Sequence, residues 1–151
     1  MFSRDGSTVA FTSGAAGLTA DGPANPAGDV LVHSLRTGTT VKASLGLDGL
    51  SGNGWSGSRA ASLSADGRHV AFQSFSSNLV AQPLNGAYQV FVRDLRLNTA
   101  WVVTSTATGG GGGYAGAVSA SGRQVVFYSW ATDLVPGWAD GGAPQIYLRR
   151  I

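Results

Sequence analysis

The sequence contains no cysteine and no glutamate, and Lys42 is its only lysine. Without cysteine there are no disulfides and no thiolate metal sites. Long helices lean on Ala, Leu, Glu, Lys and Gln, and two of these are missing or nearly so. The 23 glycines, each costing a helix about 1 kcal/mol relative to alanine, break up the alanine-rich stretches together with Ser and Thr. Almost no helix is expected. Charge is also scarce: 12% of residues, ten basic against eight acidic, for a net charge of +2. The pI of about 9.4 reflects a small, scattered excess without a basic run, which argues against a nucleic-acid partner. No stretch approaches the roughly 18 apolar residues of a membrane span. No apolar core follows Met1-Phe2-Ser3-Arg4, so no signal peptide is read there and any export signal would lie outside this chain.

What is present is a repeat. Ser64-Ala65-Asp66-Gly67-Arg68-His69-Val70-Ala71-Phe72-Gln73-Ser74 is written again, with changes, as Ser3–Ser13 and as Ser119–Ser129. The Asp-Gly pair reads as a two-residue hairpin turn, with Gly67 supplying the positive φ. The β-branched and aromatic residues after it read as a strand. Phe11, Phe72 and Phe127 align, as do Leu18, Leu79 and Leu134 downstream. Then Asp29–Leu35, Gln89–Leu95 and Gln145–Ile151 align in turn. Three landmarks recur in one order, with a period matching a four-stranded propeller blade with one generous loop.

In the middle repeat, strand A is expected near 59–64, B near 68–74, C near 89–95 and D near 100–105. Strands B and C are apolar on both faces. A sheet with one wet face would alternate between apolar and polar, so both faces are read as covered, as they are when blades stack. A β-sandwich would cover both faces too, but it does not predict the repeat. The fold class expected is therefore all-β: about three four-stranded antiparallel propeller blades in one segment, 1–151, with repeats near 1–50, 51–108 and 109–151. The first repeat starts at the end of its strand A and the third stops at strand C. Closed propellers have about four to eight blades. A fragment, a truncated reading frame or self-association would fit, the last as two three-blade chains closing a six-bladed ring.

The pattern Ser-x-Asp-Gly-Arg-x-Val-Ala-Phe-x-Ser, then Asn78-Leu79-Val80, Asn85-Gly86 and Val90-Phe91-Val92-Arg93-Asp94-Leu95, resembles the TolB-like, or WD-like, β-propeller repeats of bacterial proteins. The resemblance covers essentially the whole chain. It implies a binding scaffold or a domain appended to an enzyme, and a periplasmic or extracellular setting. The chain departs from the pattern in the B–C loop, where the resemblance implies two flanking acids. The middle repeat has neither, the first keeps Asp21 and Asp29 with Asn25, and the third keeps Asp140.

Candidate chemistry is sparse. His33 and His69 occupy ordinary repeat positions, and no Gly-x-Ser-x-Gly nucleophile elbow is present. Asp21, Asn25 and Asp29 are the best oxygen ligands for calcium, but they lack the alternating spacing of a dedicated loop; no metal and no cofactor are expected. Gly109–Gly113 reads as a flexible D–A connector, since no helix or lysine follows to make a phosphate cradle. The aromatics carry the strongest signal. Phe75, Tyr88, Trp130 and Trp138 fall in or beside B–C loops, and Trp55 and Tyr114 in D–A loops. All six should gather on one rim, where aromatic faces serve protein or carbohydrate ligands. The reading is a non-catalytic binding module acting through that rim. Its alternatives are an accessory propeller of a larger exported hydrolase or a fragment of a TolB-like periplasmic protein. A weaker reading places an active site in a central channel lined by residues such as Arg59.

Overall fold

The computed structural model describes residues 1–106, 111–137 and 143–151. Among them are ten strands and no helix, as the shortage of helix formers implies. Strands β1 (Thr8–Ser13), β2 (Asp29–Ser34) and β3 (Thr39–Lys42) form one antiparallel sheet. Next, β4 (Ser56–Leu63), β5 (His69–Ser74), β6 (Gln89–Asp94) and β7 (Thr99–Val102) form a four-stranded meander in chain order. Finally, β8 (Tyr114–Val118), β9 (Gln124–Ser129) and β10 (Gln145–Arg150) form a third sheet. These are propeller blades. The middle one is whole; in the first, strand A is reduced to the bridge between Phe2 and Val9.

Strand D of the middle blade ends earlier than expected, at Val102. Beyond it a side chain takes over the ladder: Val90 N donates to Thr104 Oγ1 at 3.1 Å. The first blade does the same, with Val30 N donating to Ser44 Oγ at 3.0 Å. Strand A begins earlier, at Ser56, and its pairing with β5 shifts between Gly57 and Ser62. A bulge of this kind bends the strand and increases its twist.

The Asp-Gly turn is not the two-residue hairpin. Ser64 N donates to His69 O at 2.9 Å, so four residues lie between the closing pair. Inside, Gly67 N donates to Ser64 O at 3.0 Å, and only Gly67, at φ 70°, is left-handed. This is a type I turn with glycine at its last position. The serine explains itself here. Its Oγ accepts from His69 N at 2.9 Å, and the equivalents Ser3 and Ser119 accept from Thr8 N and Gln124 N. Asp66 Oδ1 accepts from Ser64 Oγ and from Arg68 N, and the Ser64 hydroxyl holds its carboxyl below the usual carboxylate range.

The blades are joined by two buried apolar layers. Ala10, Val30, Val32 and Ala43 of the first pack on Leu63, Val70, Phe72 and Phe91 of the second. Ala71, Val90, Val92 and Val103 of the second pack on Val118, Val125 and Phe127 of the third. The double-sided apolar strands thus sit between neighbours. Polar stitches repeat with the same period. Arg4 N donates to Ala65 O at 3.2 Å, and Ala65 N to Ala120 O at 3.0 Å. Arg93 Nη1 reaches Leu45 O at 3.1 Å, and Arg149 Nη1 reaches Ser105 O at 3.3 Å.

The turn glycines Gly67 and Gly122 also receive a side chain from the preceding blade, while Gly6 meets nothing. A Cβ on Gly122 would lie 2.2 Å from His69 Nδ1, and one on Gly67 would lie 2.9 Å from Thr8 Oγ1. Gly122 combines this contact with φ 71°. Gly122→Ala is therefore expected to lower the unfolding free energy by about 2–3 kcal/mol, from left-handed strain and overpacking together, read by urea denaturation. An unchanged midpoint would mean that the second and third blades do not meet as described.

Candidate functional site

B–C and D–A connections leave the same ends of antiparallel strands, so their side chains share one rim. Trp55 stands just before β4, Phe75 follows β5, Tyr88 precedes β6, Tyr114 opens β8 and Trp130 follows β9. Their rings form one contiguous ribbon. Centroids lie 5.7 Å apart for Trp55–Tyr88, 3.6 Å for Phe75–Tyr88, 5.5 Å for Tyr88–Tyr114 and 5.6 Å for Tyr114–Trp130. The structure thus brings together five of the six aromatics; Trp138 lies outside the described residues.

Tyr128 is a member that the sequence reading missed. It pairs across the sheet with Tyr114, stacking at 5.0 Å and 11°, and meets Trp130 at 5.3 Å. A signal existed: Tyr128 replaces Gln73 and Thr12 at an aligned position and is two residues from Trp130. Offset and edge-on ring pairs contribute about 0.5–1.5 kcal/mol each, so the ribbon is a rigid surface. Phe75, Tyr128 and Trp130 nonetheless remain exposed.

Under the rings runs Gly111–Gly113, and this part of the connector is tied down. Gly111 N donates to Thr104 O at 2.7 Å, Gly113 N to Tyr88 O at 2.8 Å, and Ser129 Oγ to Gly112 O. A Cβ on Gly111 would stand 2.4 Å from Ala131 Cβ, and one on Gly113 2.8 Å from Thr104 Cγ2. Glycine is required here by close packing rather than by flexibility. Together, Phe75, Tyr88, Tyr114 and Trp130 over this floor border an open recess of about 330 Å³, and among the described residues no Asp, His, Lys or Arg lines it.

Of the three oxygen-ligand candidates, Asn25 and Asp29 meet in the first blade, where they hold its loop, while Asp21 is held by Lys42. Asp29, buried, accepts from Ser44 Oγ at 2.8 Å, Ser51 Oγ at 2.9 Å and Asn25 N at 2.9 Å. Asn25 Nδ2 donates to Gly52 O at 2.9 Å and Gly54 O at 2.8 Å, tying this loop to the next D–A connection. Lys42, also buried, places its Nζ at 2.9 Å from Asp21 O, 3.3 Å from Gly22 O and 2.8 Å from Pro23 O. The loop carbonyls converge on an ammonium group. Among the described residues no cluster of three or more His, Asp, Glu or Cys could hold a metal ion.

The opposite rim holds the turns. Asp94, with its side chain buried, receives Arg68 Nε at 3.0 Å and Arg68 Nη2 at 2.5 Å. It also accepts Arg96 N at 2.9 Å and Leu97 N at 3.1 Å, which fixes the C–D turn. The Arg68 bonds hold its carboxyl well below the usual range. His69 Nε2 lies 3.6 Å from the same carboxylate. His33 Nδ1 meets Thr40 Oγ1 at 2.9 Å, a bond between neighbouring strands. Arg59 is on β4, with its side chain outside the described residues, and Asp140 is outside them altogether.

The architecture is similar to solved β-propellers. TolB from Acinetobacter baumannii matches with a TM-score of 0.56 and 17% sequence identity, over 99% of this chain and 29% of that one. The putative TolB from Agrobacterium tumefaciens gives 0.52 and 17%, over 99% of this chain and 57% of that one. The tricorn protease gives 0.51 and 13%, over 87% of this chain and 11% of that one. The chain thus spans less than two thirds of each. No family model and no curated protein sequence matches.

Proposed function

We propose that this propeller segment is a non-catalytic binding module whose ligand, a protein segment or a carbohydrate, lies along the aromatic rim from Trp55 to Trp130. The contiguous ribbon around a recess that, among the described residues, has no charged lining carries this reading. Rigid aromatic faces offer large contact area at low entropic cost, and such anchors dominate binding energy. The opposite rim is built of side chains that already hold turns, among them Asp66 and Asp94. A panel of peptides and oligosaccharides, followed by titration of the tryptophan fluorescence, tests the reading. Trp130→Ala, at an exposed ring, is expected to weaken any ligand found by about tenfold or more. Binding that ignores Trp130 would overturn the assignment of the rim, and robust turnover in a broad hydrolase screen, lost in Arg59→Ala, would overturn the non-catalytic reading.

A second reading is favoured by the tricorn match, in which the matched segment is 11% of a much larger protease chain. There this segment would be the accessory propeller of a larger exported enzyme. The same rim would then present or gate substrate.

A further inference from the structure

The internal repeat states what belongs on the two outermost faces of the segment. On the third blade, Tyr128 pairs with Ile146 and Val126 with Leu148, making one apolar patch. Their equivalents in the middle blade are Gln73, Val90, Ala71 and Val92. Val90 and Val92 are 0% exposed because the next blade covers them, whereas Ile146 is 80% and Leu148 61% exposed. On the first blade the other side is open. Leu18 is 41% exposed, while its equivalent Leu79 is 1% exposed under a preceding blade. Phe2, in the place of the buried Leu63, is exposed beside it, and Phe11, in the place of the fully buried Phe72, is only partly covered. One end offers the face that a following blade covers, and the other end offers the face that a preceding blade covers.

We propose that these faces meet each other between two copies of this chain, head to tail, with the Val126/Tyr128/Ile146/Leu148 patch of each copy seated on Phe2, Val9, Phe11 and Leu18 of the other. The occupant is read from the molecule's own two blade junctions, which use the same positions. The polar stitches extend in the same way. Arg4 N bonds Ala65 O and Ala65 N bonds Ala120 O, so Ala120 N–H is the donor for Arg4 O of the second copy. Thr8 packs on Gly67 and His69 on Gly122, so Gln124 is the residue for Gly6 of the second copy. The junction is heterologous, and two of them close a ring. Two copies supply six blades, within the roughly four to eight of closed propellers.

Size-exclusion chromatography with light scattering on the 151-residue chain tests this. The expected mass is twice the 15.3 kDa of one chain. Ile146→Arg/Leu148→Arg on one face, or Leu18→Arg on the other, should each give a monomer with an unchanged circular-dichroism spectrum, since all three side chains are exposed in the single chain. Mixing the two variants restores one intact junction and should return a heterodimer. A clean monomer in the unsubstituted chain would assign both faces to blades elsewhere in a longer polypeptide or to another partner, and would overturn the proposal. A dimer indifferent to these substitutions, or an open-ended polymer, would overturn it as well.

Discussion

Phe72→Ala is expected to cost about 3–5 kcal/mol of unfolding free energy, the range for a large aromatic removed from a core that cannot collapse around the gap. Phe72 is fully buried in the layer that joins the first two blades and stacks on Phe91 at 5.8 Å and 22°. The truncation removes a ring pair as well as apolar area. Against a total stability of about 5–15 kcal/mol for an ordinary domain, this removes a large fraction of it, and at the low end of that range leaves the chain at the edge of unfolding. The same substitution at the aligned positions makes a stringent series. Phe127 is buried in the second layer and stacks on Tyr147 at 5.5 Å, so Phe127→Ala should cost a similar amount. Phe11 is only partly covered, so Phe11→Ala should cost about 1 kcal/mol in the single chain. Head-to-tail pairing would bury Phe11 and raise its cost with protein concentration. Equal, small losses at all three positions would contradict the two-layer core.

Asp94→Ala is the second large effect, expected at about 2–3 kcal/mol from lost charge-assisted bonds and two backbone donors left without an acceptor. The pH dependence separates this from simple loss of packing. The Arg68 bonds hold the Asp94 carboxyl below its ordinary range in the folded chain. Its contribution is therefore fully present above the unfolded-state value near pH 4 and is lost as pH falls through the folded value. Asp66, lowered by Ser64, acts in the same direction. Stability should hold from neutral pH down to about 4 and decline below it. Asp94→Asn should flatten that decline while shifting the neutral-pH denaturation midpoint downward. An unaltered acid limb would show that the Arg68 pairing does not persist in solution.

The periodic part of this architecture is legible in the sequence because stacking imposes it. Phe72 and Val90 recur at fixed places since each blade presents the same two faces to its neighbours. The rim was legible for a related reason: loop order alone puts Tyr88 and Trp130 at the same end. What was not legible depends on side chains meeting across the repeat. The turn at Asp66-Gly67 looks like a two-residue hairpin until Ser64 Oγ is seen to accept from His69 N. Tyr128 sits in a strand, where alternation marks it as ordinary, and only its pairing with Tyr114 brings it to the rim. Gly111–Gly113 reads as a linker because nothing local shows Ala131 and Thr104 closing on it. In the sequence Lys42 stands out only as the lone lysine, yet it gathers three carbonyls of the loop that holds Asp21.

The central functional claim is that binding belongs to one rim. It is tested most directly by comparing Trp130→Ala with Trp101→Ala in titrations of one ligand. Both indoles are exposed, but Trp101 lines a separate recess on the turn side with Arg68 and Arg123. The account predicts that Trp130→Ala weakens binding by about tenfold or more while Trp101→Ala leaves it unchanged. Loss in Trp101→Ala with full binding in Trp130→Ala would contradict it and move the site to the opposite rim.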